Sequence, residues 1–100
     1  MKEISNVKEF TGEKNDKTIK ELTQVEPMED KHKILVYLKS FEPDCAAGML
    51  LMDEMTGEIL DSGVNGYEDG TFYWDTRHIY HFEKYNLKFN DDFIEHVLKG

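Results

Sequence analysis

Positive charge is missing from the middle of this chain. Between Ser40 and Thr76 there is no Lys, Arg or His, yet nine carboxylates fall there: Glu42, Asp44, Asp53, Glu54, Glu58, Asp61, Glu68, Asp69 and Asp75. Residues 1–40 balance eight Lys against eight acids, so the net charge of −9 belongs to the rest, with 13 acids against four bases. Gripping phosphates requires clustered cations, and none are clustered here. The composition therefore excludes direct nucleic-acid binding through the phosphate backbone and disfavours an anionic membrane surface.

Other scarcities narrow the class further. Cys45 is the only cysteine, which excludes an internal disulfide and any paired-thiol metal site. A single thiol beside five Met fits a reducing interior and a cytoplasmic location. The apolar runs, Ile34–Leu38 and Met49–Met52, are too short to span a membrane. No apolar run follows Lys2, so no secretory signal is expected. Arg77 is the one Arg among 12 basic residues, a bias that fits an AT-rich coding genome, bacterial or phage.

What is present is enough for one modest core. The chain has 100 residues, 39% of them hydrophobic and 12% aromatic, the size and make-up of a single folded domain. Residues 1–31 are polar and lysine-rich, and read as an N-terminal arm, with Asp16 capping a short helix that runs through Leu22 to Val25. Residues 32–100 read as the domain proper.

Within that domain, Ile34, Val36 and Leu38 alternate with Leu35 and Tyr37, which predicts a strand over Lys33–Phe41. A rival helix over the same residues has Pro27, Glu29 and Asp30 at its start and Leu35 and Leu38 as its stripe; the β-branched content favours the strand. Met49–Met52 and Glu58–Leu60 predict a hairpin that turns at Gly57. Asn65-Gly66 and Glu68-Asp69-Gly70 mark further turns, and Thr71–Trp74 a short aromatic strand. The period then changes to that of a helix. Asp75 caps one over about 76–86, closed by Asn86, and Asn90 caps another over about 91–99.

The expected fold is α+β: an antiparallel sheet of three to four strands over about 33–74, packed by two C-terminal helices. Its expected core is Ile34, Val36, Leu38, Met49, Leu51, Ile59, Phe72, Trp74, Ile79, Phe82, Phe93, Ile94 and Val97.

Candidate chemistry is sparse. His78 and His81 lie three apart on the first C-terminal helix, with Asp75 one turn earlier, a spacing at which imidazoles can share a transition metal, and His96 is the only candidate third donor. Asp61–Gly66 imitates the start of a calcium loop, but Gly63 stands at position three and Phe72 at position twelve, so that motif fails. Nothing around Cys45 resembles a nucleophile motif, and no cofactor or catalytic activity is expected.

The acidic stretch carries the leading expectation. A one-signed surface steers an oppositely charged partner, and Tyr and Trp beside acids suit interface anchors. Asp53, Glu54, Glu58, Asp61, Glu68, Asp69 and Tyr73 are the candidate contacts to a basic protein, including one that itself handles nucleic acid. The alternative is a metal-binding domain centred on His78 and His81.

Overall fold

The computed structural model describes residues 1–100. In chain order the elements are β1 (Lys2–Glu3), α1 (Lys8–Thr11), α2 (Ile19–Leu22), α3 (Lys31–Lys39), β2 (Cys45–Met52), β3 (Ile59–Glu68), β4 (Phe72–Asp75), α4 (Thr76–Tyr85) and α5 (Asp91–Lys99). One sheet of order β1-β4-β3-β2 is formed, and α3, α4 and α5 pack together over it. The α+β class and the two C-terminal helices stand as the periodicity predicted.

The sheet is mixed rather than purely antiparallel. β1 runs parallel to β4, pairing Lys2 with Phe72 and Glu3 with Tyr73, while the β2–β3 and β3–β4 pairs are antiparallel. The polar reading of residues 1–31 therefore missed their role in the fold. Ile4, Val7 and Ile19 are each at most 1% exposed. They are single apolar residues among polar neighbours, buried by elements distant in the chain, so no periodic run announces them. The short helix α2 is capped by Thr18 in a reciprocal pair with Glu21, whereas Asp16 accepts the Thr11 hydroxyl instead.

The strand expected over Lys33–Phe41 is the helix α3. Ile34 and Leu38, four residues apart, are fully buried, and Val36 between them is 55% exposed. That is helical rather than alternating periodicity. The sheet is completed without it, β1 pairing with β4, and α3 packs its buried stripe against α4 and α5, so tertiary packing overrides the β-branched preference.

β4 alternates cleanly: Phe72 and Trp74 are buried, and Tyr73 between them faces out. Trp74 is ringed by Tyr37, Phe41, Tyr67 and Phe93 at centroid distances of 5.3–6.4 Å. Its indole N–H is the one buried side-chain polar atom with no acceptor. α4 starts with the Asp75 side chain accepting the Arg77 N–H and ends on Asn86 at φ 58°, so both expected caps are in place. The loop after it adds Leu87 and Phe89 to the core, with Phe89 stacked on Phe82 at 4.5 Å.

Candidate functional site

The nine carboxylates divide into two groups. Three are tied into the fold. Asp53 lies at the tip of the β2–β3 hairpin and is wholly inaccessible to water. Its Oδ1 accepts the backbone N–H groups of Met55 (2.9 Å) and Thr56 (3.1 Å), closing the turn that Gly57 completes at φ 81°. Its Oδ2 accepts the hydroxyls of Tyr85 (2.6 Å) and Tyr80 (2.7 Å) on α4, with the Lys84 ammonium at 3.5 Å. Burial alone would raise this carboxyl, but the two tyrosines and two amides outweigh it and hold it well below its usual range.

Asp69 repeats the arrangement at the β3–β4 turn. Oδ1 accepts the Phe72 (2.7 Å) and Thr71 (2.9 Å) amides, and Oδ2 accepts the Tyr37 hydroxyl (2.6 Å) and faces His96 Nε2 at 3.0 Å. Burial pushes it up and the hydrogen bonds prevail, leaving it lowered. Asp75 is the third: beyond its capping bond it takes the Arg77 guanidinium on both oxygens, at 3.1 and 2.8 Å.

Asp53 and Asp69 are thus corrections to the expected contact set. Their side chains are 0% and 3% exposed, and their acceptor sites are occupied from within the chain. A carboxylate already holding four donors has little left for a partner.

The histidine pair is likewise internal. His78 Nδ1 accepts the Asp75 N–H at 3.1 Å, and Nε2 donates to the Ser5 carbonyl at 3.1 Å. His81 is the opposite tautomer: Nδ1 donates to the Arg77 carbonyl at 2.8 Å and Nε2 accepts the Glu54 N–H at 3.0 Å. The partners decide these tautomers, because a carbonyl only accepts and an amide N–H only donates. Burial lowers the pKa of both rings. Every ring nitrogen is used, and no group of three His, Cys, Asp or Glu side chains is placed to hold a metal ion. His96, the expected third donor, is engaged with Asp69.

The other six acids differ in kind. Glu42, Asp44, Glu58 and Asp61 are exposed, and Glu54 and Glu68 are half-buried. None of the six forms an ion pair, whereas Asp53 meets Lys84, Asp75 meets Arg77, and Asp69 is held by the Tyr37 hydroxyl and His96. Glu54 sits beside Glu9, and burial together with that like charge raises its pKa. Glu68 lies directly opposite Tyr73, and Glu3 pairs with Tyr73 from the other side, so the outer sheet face presents an exposed tyrosine between two acids. Along the β2–β3 hairpin, Met49, Leu50 and Ile59 are 48%, 57% and 58% exposed. Met49 and Ile59 were expected in the core, as was Val36. No helix crosses the outer stretch of this hairpin, so alternation along the strands has no second layer to bury against.

The sequence reading did not assign five residues their role in organising the tied carboxylates: Tyr37, Tyr80, Lys84, Tyr85 and His96, the last of which was read as a possible metal donor. A local signal existed for the acceptors alone, since Asp53-Glu54-Met55-Thr56-Gly57 and Asp69-Gly70-Thr71 are turn patterns in which an Asp side chain binds amides ahead of it. A hollow of about 200 Å³ between Met28, Phe82, Phe89 and Ile94 includes none of the nine carboxylates and none of the histidines. No helix is long and apolar enough to cross a membrane. The chain matches no family model, no curated protein and no solved structure, so its site is read from its own residues.

Proposed function

We propose that this protein is a non-catalytic interaction domain that engages a basic protein partner through the acidic, aromatic-bearing surface of its sheet. The observation that carries this reading is the division of the carboxylates. Those needed for the fold have their oxygens occupied by donors from within the chain, and the remaining six form no ion pair. A solvated rim of charge also resists unwanted strand pairing, and alternating Lys and Glu would serve that purpose equally well. A surface of one sign does something more: it raises the encounter rate with a cationic partner and repels acidic ones. Glu42, Asp44, Glu58 and Asp61 form the exposed part of the surface, Glu54 and Glu68 its half-buried margin, and Tyr73 the aromatic anchor on the adjoining strand.

The test is a pull-down from lysate at low salt, comparing the wild type with Glu58→Lys/Asp61→Lys and with Glu26→Lys/Glu29→Lys. Glu26 and Glu29 are exposed acids outside the acidic segment, so the two variants change net charge equally. The expected result is a set of basic proteins released by high salt, lost with the first variant and kept with the second. Capture that ignores salt, or that falls equally in both variants, would overturn the proposal. No observation favours the metal-binding alternative, because the nitrogens it requires are already bonded.

A further inference from the structure

β2 lies at the rim of the sheet, with β3 on one side and no strand on the other. In an edge strand, alternate backbone N–H and C=O groups point away from the neighbour and can pair with another chain. Every residue from Cys45 to Leu50 is exposed. Leu50 stands opposite Gly63, so no β3 side chain covers it there. Natural edges are usually blunted by Lys or Pro; here no Lys occurs between Ser40 and Thr76, and Pro43 precedes the strand. What blunts this edge is local: Gly48 at φ 71° and shifts of register on either side of Leu50. They divide the edge into short extended stretches, which suits a short guest and discourages an open-ended stack.

Charge decides which guest. A second copy of this chain would bring a further Glu42, Asp44, Glu58 and Asp61 to the same edge with no cation in the segment to offset them, and two surfaces of one sign repel. A segment bearing cations meets the opposite situation. We infer that β2 accepts, as a fifth strand, an extended segment of another protein in which Lys or Arg alternates with apolar residues. Backbone pairing to β2 supplies the affinity, apolar side chains on one face of the guest cover Met49, and the stems of its cations lie over Leu50 on the face that carries Asp61. The cations lie one to two strand spacings, about 5–10 Å, from the acids at the start of β3, within the screening length at physiological salt. This mode of binding rests on the acidic-surface reading above and specifies how that surface is used.

Two synthetic probes of equal length and charge separate the two claims: a Lys-Val alternating heptapeptide and a Lys-Pro alternating heptapeptide. Proline offers no N–H, so the second keeps the charge and cannot complete a ladder. Each is titrated into the isotopically labelled full chain at low salt, with amide shifts and hydrogen exchange read across residues 45–52. The expected result is binding of the Lys-Val probe about tenfold or more tighter than Lys-Pro, equivalent to at least ~1.4 kcal/mol. It should slow exchange at alternate β2 amides and lose its advantage in Met49→Ser. Equal binding of both probes without slowed exchange overturns strand addition and leaves the acidic-surface reading intact. No binding of either probe overturns both.

Discussion

The two ends of the β2–β3 hairpin are built on opposite principles. Its tip is stapled: Asp53 takes two amides and two tyrosine hydroxyls, and the next residue's N–H is held by His81. Its outer stretch, Cys45–Leu50, is exposed and touches little. The comparison teaches that acidity has two meanings in one short segment. At the tip a carboxylate is an internal acceptor, worth its burial because every lone pair is used. A few residues away, carboxylates of the same type are left unpaired in solvent, where they contribute little to stability and much to the local potential.

The largest effect that would break this contrast lies at the tip. Asp53→Ala should cost about 3–5 kcal/mol in urea unfolding, because buried tyrosine hydroxyls and two amides lose their acceptor. A loss below about 1 kcal/mol would mean that water reaches the tip as it does the rim.

Acid should find the stapled regions first. His78 and His81 are held neutral below their ordinary pKa, so the unfolded chain binds protons that the folded chain does not. Their contribution is complete above about pH 6.5 and is lost as pH falls through that value towards the folded pKa, by up to ~1.4 kcal/mol per pH unit for each ring. Asp53 and Asp69, lowered from the carboxylate value, add a second loss that begins near pH 4. Unfolding free energy measured against pH should therefore decline in two stages. A profile flat down to about pH 5 would show that the rings are not held neutral. Ring ¹⁵N shifts should find His78 protonated on Nε2 and His81 on Nδ1, unchanged by added zinc or nickel.

A smaller test concerns the second turn. Tyr37→Phe removes one donor from Asp69 and leaves His96 and the two amides, so the expected cost is about 1 kcal/mol. The smallest effect belongs to the rim: Leu50→Ser and Ile59→Ser should each stay within about 0.5 kcal/mol of wild type. A larger cost for either would show that the outer stretch is packed rather than open, and would remove the surface on which strand addition depends.

Legibility in the sequence followed how local the cause was. The Asp75 cap, the left-handed Asn86 and the turn at Gly57 depend on a few neighbouring residues, and all stand as read. The amphipathic stripes of α4 and α5 were equally legible. The exposure of Tyr73 was half legible, since consecutive strand residues face opposite ways. Asp53 and Glu58 were not distinguishable in advance. Both are acids flanking one turn, and only the approach of α4, carrying Tyr80 and Tyr85, buries the first and leaves the second in water.

By itself the sequence determined the charge map, the α+β class and the caps of α4, because composition and short-range hydrogen bonding are settled within a few residues. At α5 the Asn90 side chain makes no capping bond and reaches instead to Glu3 and Asn6. Tertiary structure alone decided the rest. Ile34 and Leu38 became a helical face because α4 and α5 pack against it. Ile4, Val7 and Ile19 became core because distant elements closed over them. Burial depends on what arrives from elsewhere in the chain, and so does the difference between a carboxylate that holds a turn together and one left free to meet a partner.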